Sequence, residues 1–359
     1  MRVIITAGGT GGHIYPALAI INKIKMKEPQ SEILYIGTHN RMEKDIIPER
    51  GINYKALKII GLNRKNIFKN ITTVKYLFKS IKEAKKIIKE FKPDLVIGVG
   101  GYVTVPVIYA AKKLGYKTLI HEQNSVLGLA NRFLLKYSDV LAVSFESMTK
   151  SIKKAIYTGN PCSEEALHIN PLYKRELNLS LNKKLVVIVM GSLGSKIIND
   201  KMKLMLQLFN NKEYEVIYIT GKKYYAEFKD LKLASNIKII DYHNKLLSLL
   251  KNCDLVVSRA GASTISEITA LNIPSILIPS PHVTNNHQYK NALDLYERNA
   301  ALILEEKDLN GDILVKKVDE LLSDENKYNN IKKSLEKLVI KDSATRIYEI
   351  ASSLIKGNK

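Results

Sequence analysis

The sequence predicts an α/β protein built from two Rossmann-like domains, and three observations carry that expectation. Val- and Ile-rich runs of four to six residues recur along the chain, each leading into glycines and then a helical pattern, as βα units of a parallel sheet do. The pattern restarts in the second half, where another strand runs into another glycine loop. A length of 359 residues also exceeds what one core organises and suits two domains of about 150–200 residues each.

In the first half, strands are expected at 3–7, 33–37, 94–99, 117–121 and 140–143. In the second half they are expected at 185–190, 215–220, 237–240, 254–258 and 275–278. Between these sets, the stretch 158–184 is polar, holds Pro161 and Pro171 and keeps no period, so it reads as the linker region with a boundary near Asn160. The domains are then 1–159 and 160–359, and the last helical stretch, 342–356, can pack back on the first. The longest uncharged run, 95–111, is cut by Gly98, Gly100, Gly101 and Pro106 into strand, loop and helix start, so it is not expected to span a membrane.

A chain with 45% hydrophobic and 25% charged residues, and with 19 Gly and 10 Pro spread along it, is neither disordered nor collagen-like. Two cysteines, Cys162 and Cys253, are too few for a disulfide framework and lack the spacing of a zinc site; a reducing, cytoplasmic home is expected. The N-terminal MRVIITAGG enters a strand and a glycine turn rather than a signal peptide. The formal charge is +21. A positive field of that size suits nucleic acid, an anionic membrane or an anionic substrate, while compositional drift in a chain rich in Lys, Asn, Ile and Tyr produces the same excess. No aromatic platform or recognition motif accompanies the charge, so nucleic acid is not an expected partner.

Four glycine-rich loops, 8–13 (GGTGGH), 98–102 (GVGGY), 191–195 (GSLGS) and 258–263 (SRAGAS), fall at or near C-terminal ends of expected strands. Ligands bind at that edge of an open parallel sheet, because loops and helix N-termini bring unpaired N–H groups together there. A nicotinamide or flavin site is not indicated: the spacing GxGxxG is not met, and the second strand ends at Gly37-Thr38-His39 without an acid for a ribose. The phosphate-loop pattern GxxxxGK[ST] is absent, as is any D-x-D pair to hold a metal-bound diphosphate. Helix dipoles and neutral donors must then carry the charge of a bound phosphate, with neither metal nor redox cofactor expected.

The richest stretch is 258–292, SRAGASTISEITALNIPSILIPSPHVTNNHQYKNA. A strand ends at Ser258, a glycine loop opens a helix, and Glu267 follows one to two turns later, where a carboxylate can accept both ribose hydroxyls while the helix N-terminus faces phosphate.

Taken together, GGTGGHIYPALA at 8–19, GGYVTVP at 100–106, HEQNSVLGLANR at 121–132, MGSLGS at 190–195, SRAGASTISE at 258–267 and HQYKNA at 287–292 resemble, in order and over the full length, a family of bacterial cell-wall glycosyltransferases. That family adds N-acetylglucosamine to undecaprenyl-diphosphate-linked N-acetylmuramyl-pentapeptide. The resemblance implies a GT-B fold, two Rossmann-like domains facing across a cleft, with the lipid acceptor and the membrane on the first and UDP-N-acetylglucosamine mainly on the second. It implies that Ser192 donates to the diphosphate, that the His243 backbone meets the uracil edge with Tyr242 beside it, and that Ala262, Ser263, Thr264, Ile265, Ser266 and Glu267 hold diphosphate and ribose. Gln288 and His287 would touch the sugar, and Thr10, Gly11, Gly12 and Asn124 would complete the site from the first domain. Where the family often carries an arginine after its interdomain Asn-Pro, this chain has Cys162 and Ser163, and Arg259 is not an obvious substitute.

Inverting transfer to the acceptor 4-hydroxyl needs a base, a stabilised UDP leaving group and alignment of both substrates. His13 is the leading base candidate because an unperturbed imidazole titrates near neutrality, with orientation of its loop or contact with the acceptor diphosphate as other readings. Glu122 is the second candidate, and His121 reads as structural. A lipid acceptor requires a membrane surface. Ten Lys and Arg against two Glu lie between Ile59 and Lys92. Arg64, Lys65 and Lys69 with Ile67 and Phe68 form a loop suited to anionic headgroups at the cytoplasmic face of the cell membrane. Leu77, Phe78 and Ile81 suit either that surface or the buried side of an amphipathic helix. Rival readings are a GT-B diacylglycerol glycosyltransferase and a UDP-N-acetylglucosamine 2-epimerase.

Overall fold

In a computed structural model, residues 1–61, 70–191 and 194–357 are described. The expected membrane loop residues Arg64, Lys65, Ile67, Phe68 and Lys69, and the expected diphosphate contact Ser192, lie outside the described residues. The chain forms two compact units, Met1–Cys162 with Asp342–Lys359, and Ser163–Lys341.

The first unit holds a parallel sheet that, among the described residues, has seven strands: β1 (Arg2–Thr6), β2 (Glu32–Thr38), β3 (Asn53–Leu57), β4 (Leu95–Gly98), β5 (Lys117–Glu122), β6 (Val140–Val143) and β7 (Ala155–Tyr157). Their order is β3-β2-β1-β4-β5-β6-β7. Strands with near-continuous apolar runs take the middle, where both faces are covered, and β3, whose burial alternates, takes an edge. Helices α1 (Gly11–Lys27), α2 (Glu43–Glu49), α3 (Asn70–Phe91), α4 (Thr104–Lys113) and α5 (Leu129–Leu134) accompany it, and α6 (Pro161–Leu167) follows β7. The direction of winding reverses between β1 and β4, whose register runs from Val3 opposite Leu95 to Thr6 opposite Gly98. The loops leaving those two strands, 7–10 and 99–103, therefore lie at the switch point, the place in such sheets where helix N-termini diverge and leave a crevice.

The second unit repeats the plan with β8 (Lys184–Val189), β9 (Tyr214–Ile219), β10 (Ile237–Ile240), β11 (Leu255–Ser258), β12 (Ser275–Leu277) and β13 (Leu302–Ile303), in the order β10-β9-β8-β11-β12-β13. Its helices are α7 (Lys196–Met205), α8 (Leu246–Leu250), α9 (Ala262–Ala270), α10 (His287–Glu297), α11 (Ile313–Ser323) and α12 (Glu325–Leu338). The reversal here falls between β8 and β11, so Gly191 and Gly194, after β8, and residues 259–261, after β11, occupy the corresponding switch point.

The final helix, α13 (Ser343–Lys356), belongs to the first unit: Ile347 and Ala351 are buried in one cluster with Ala17, Leu18, Ile21 and Ile24 of α1, and Tyr348 donates to Glu28 at 3.0 Å. Within the stretch read as linker, a helix forms from Pro161, an N-terminal position that suits a residue without an N–H.

Helix α3 packs on α4 through small inner residues, Thr73, Ser80 and Ala84, with Ile88 at its end. Its opposite side leaves Ile71, Val74 and Phe78 exposed at 74%, 45% and 68%, among Lys75, Lys79 and Lys82, while Leu77 and Ile81 are half-buried. No helix among the described residues is long and apolar enough to cross a membrane.

Candidate active site

In the first unit, α1 opens directly from the glycine loop. Gly11 and Gly12 supply N–H groups ahead of the first i−4 hydrogen bond, which Ile14 makes to Thr10. Thr10 and Gly12 are exposed at this helix start. The loop packs on its neighbour at the switch point: the Gly8 N–H donates to the Gly100 carbonyl at 3.2 Å, and Gly101, at φ +87°, would place a Cβ 2.3 Å from the Gly8 carbonyl oxygen. Only glycine fits that second position.

His13 sits at the start of α1, with its ring against Gly100 and Nδ1 3.1 Å from the Gly8 carbonyl. A carbonyl only accepts, so the neutral ring carries its proton on Nδ1 and its lone pair on Nε2.

Glu122, the second base candidate, is bound on all sides by its own loop. It is buried, and its oxygens receive Asn124 N at 3.1 Å, Asn124 Nδ2 at 3.1 Å, Gly128 N at 2.9 Å and Asn131 Nδ2 at 2.9 Å. A carboxylate so engaged holds the 123–131 loop in place. Asn124 is thereby turned toward Glu122 through its amide. His121 is fully buried: Nδ1 accepts from Gln123 Nε2 at 3.0 Å, and Nε2 donates to the Gly159 carbonyl at 3.2 Å. Burial pushes this imidazole down to about 4, against the pull of the Gly159 hydrogen bond, so it is neutral and structural.

One residue that the sequence did not single out proves central to the first loop. Glu43 of α2, fully buried, accepts from Gly9 N at 3.2 Å, Thr38 N at 3.1 Å and Thr38 Oγ1 at 2.6 Å. Gly8 and Gly37 make room for it, since a Cβ on either would lie 2.4 Å from Glu43 Oε1 or 2.7 Å from Glu43 Cγ. An acid in the polar stretch RMEKD carries no periodic signal; the glycines at 8 and 37 were its only trace.

In the second unit, the loop after β8 reaches the end of β9 through Gly194, whose Cβ would fall 2.1 Å from the Thr220 carbonyl oxygen and whose φ is +73°. Helix α9 begins at Ala262 with Gly261 as its cap, and the first i−4 bond is Ile265 N to Gly261 O. The N–H groups of Ala262, Ser263 and Thr264 thus lack partners within the helix, and the Ser263 hydroxyl is an unpaired buried atom beside them. Ser266 Oγ turns back to the Ser263 carbonyl at 2.7 Å, and Ile265 is buried under the helix. That end of α9 is electropositive and short of acceptors.

Glu267 stands further along α9, half-buried. Burial, with the Glu165 charge adding to it, pushes its carboxyl up to about 8. Tyr242 is exposed, with the Lys222 ammonium 5.1 Å from its ring centre, and His243 accepts on Nδ1 from Lys245 N at 3.2 Å. His287 opens α10 after two left-handed residues, Asn285 and Asn286, with Nδ1 2.8 Å from the Thr284 carbonyl; Gln288 accepts from Ser280 N at 2.9 Å through Oε1.

Arg259 is spoken for. It pairs with buried Glu306 at 2.5 Å and donates to the Ile278 carbonyl at 3.2 Å and to Ser195 Oγ at 2.9 Å. It braces three loop ends and does not replace the arginine missing after Asn160-Pro161. Among the described residues, no group of three or more His, Cys, Asp or Glu is arranged to hold a metal ion.

Two parallel-sheet Rossmann-like units, each with glycines at its switch point, have the GT-B glycosyltransferase architecture. The chain belongs to glycosyltransferase family 28: the family's N-terminal domain matches residues 3–143 and its C-terminal domain residues 185–347. It is 45% identical, over 99% of its length and 100% of the relative's, to a Bacillus cereus UDP-N-acetylglucosamine–N-acetylmuramyl-(pentapeptide) pyrophosphoryl-undecaprenol N-acetylglucosamine transferase. Its identity to the protein of the same name in Bacillus licheniformis is 44%, over 99% of each chain. The crystal structure of Acinetobacter baumannii MurG shares the fold, with a TM-score of 0.77 at 23% identity over 98% of this chain and 99% of that one.

Proposed function

We propose that this chain transfers N-acetylglucosamine, with inversion, from UDP-N-acetylglucosamine to the 4-hydroxyl of undecaprenyl-diphosphate-linked N-acetylmuramyl-pentapeptide, making the lipid-linked disaccharide precursor of peptidoglycan. The observation that carries this reading is 45% identity, along the whole chain, to transferases named for that donor and acceptor. The acceptor 4-oxygen attacks the anomeric carbon, the bond to the UDP oxygen breaks, and the hydroxyl proton passes to His13 Nε2. The first turn of α9, with Ala262, Ser263 and Thr264, receives the departing diphosphate, helped by Ser192. Glu267 takes the ribose hydroxyls, Tyr242 and the His243 backbone the uracil, and His287 and Gln288 the sugar. Thr10, Gly11, Gly12 and Asn124 serve the reacting end from the first unit.

Purified protein should release UDP when given both the donor and the muramyl lipid. Release with diacylglycerol instead, or formation of an epimerised sugar nucleotide with no acceptor, would replace this reading by one of its rivals.

The same reading places the protein peripherally at the cytoplasmic face of the cell membrane. Ile71, Val74 and Phe78 among the lysines of α3 support it, since an apolar stripe flanked by cations suits an anionic lipid surface. Substituting Arg64, Lys65 and Lys69 by Gln, or Phe78→Asp, should weaken vesicle binding and leave UDP binding unchanged. Equal loss of both would remove the membrane assignment.

A further inference from the structure

The Glu43 carboxylate and the His13 ring are joined through a single peptide group. Glu43 Oε2 accepts the Gly9 N–H at 3.2 Å, and the carbonyl of that same peptide, from Gly8, accepts His13 Nδ1–H at 3.1 Å. We propose that Glu43 is a positioning residue for the transfer: acting through the Gly8–Gly9 peptide, it fixes the His13 tautomer and stabilises the imidazolium formed when Nε2 takes the acceptor proton. The proposal rests on the reading of His13 as the base.

An anion at a peptide N–H shifts electron density onto the carbonyl oxygen and makes it a better acceptor; such hydrogen-bond chains polarise by about 10–30% per bond. The effect is that of the carboxylate bonded directly to histidine in a Ser-His-Asp triad, relayed across one amide. No proton crosses the peptide. Nδ1 keeps its own, Nε2 gains the one from the hydroxyl, and the carboxylate stays an acceptor throughout, as its three donors require. Full burial of Glu43 removes the solvent that would screen it.

The packing is specific to this pairing. Gly8 admits the carboxylate and Gly100 admits the ring, for a Cβ there would fall 2.4 Å from His13 Cδ2. Among the described residues, the hydroxyls of Tyr35 and Tyr54 feel the carboxylate, both pushed up by burial and then by Glu43, with Asp45 adding at Tyr54. Tyr54 spends its proton on the Thr38 carbonyl at 2.6 Å, which leaves the Glu43 oxygens to Gly9 and Thr38.

The test is the His13 titration followed by NMR in the full-length protein, its resonance assigned by His13→Gln, alongside the pH dependence of kcat/KM. In Glu43→Gln the ring should titrate lower by about 0.5 pH unit or more. The acid limb of kcat/KM should move the same way, and the plateau should fall about tenfold or more, short of the ~10⁴ seen when a directly bonded carboxylate is lost. An unmoved His13 titration in folded Glu43→Gln overturns the proposal by itself. Full activity in His13→Gln overturns it by the other route, through the base reading. Should Glu43→Gln not fold, Thr38→Val serves: it removes one neutralising donor, so the ring should titrate higher, and no shift or a downward one overturns the proposal.

Discussion

Glu267 shows what a single side chain can cost the protein that carries it. Above pH 4.5 an unfolded chain has released the proton that the folded carboxyl keeps until about pH 8, so the second unit loses stability as pH rises through that window and levels off beyond it. Glu267→Gln lacks this cost. Thermal unfolding should find it increasingly more stable than the parent from pH 5 to 8, while UDP titration finds it the weaker binder. The glycine at 194 makes the opposite case, since its freedom is required by the fold. Gly194→Ala combines a left-handed φ with a Cβ 2.1 Å from a backbone oxygen, and should cost at least about 2 kcal/mol in denaturant unfolding and weaken UDP binding with it.

At the scale of elements, the sheet ends are joined by buried polar side chains, and His121 is one whose protonation sets a pH response. It is neutral in the fold down to about pH 4, whereas an unfolded histidine takes a proton near 6.5. Its contribution is complete above pH 6.5 and is lost as pH falls through that window, about 3 kcal/mol in all. His121→Gln should therefore show a flatter acid limb in denaturant melts between pH 6.5 and 4. The strands that the sequence disclosed are those with long apolar runs. Those it concealed, β3, β7 and β13, are all edge strands, where one neighbour and half-burial leave only five, three and two residues with no run to read. The glycine loops were legible because backbone approach leaves an unmistakable residue. Glu43 was not, because burial of an acid depends on donors contributed by Thr38 and Gly9, and the four hydrogen bonds to Glu122, the second base candidate, were hidden because their donors lie up to nine positions away.

For the whole molecule, the charge excess proves lopsided: of the +21, only +4 falls on residues 163–341, so the first unit carries +17 of it. The pH responses of the units also diverge. Between pH 4.5 and 6.5 acidification destabilises the first through His121 and relieves the second through Glu267. Calorimetry should show two transitions that move in opposite directions across that range, with added UDP raising the one assigned to 163–341. The return of α13 to the first unit has a consequence for how the protein is made. The helix that covers the apolar face of α1 is translated only after the entire second unit. At about 5–20 residues per second, the nascent first unit waits on the order of 10–35 s without Ile347 and Ala351, which complete the cluster shared with α1, a window in which an unfinished core is exposed to aggregation.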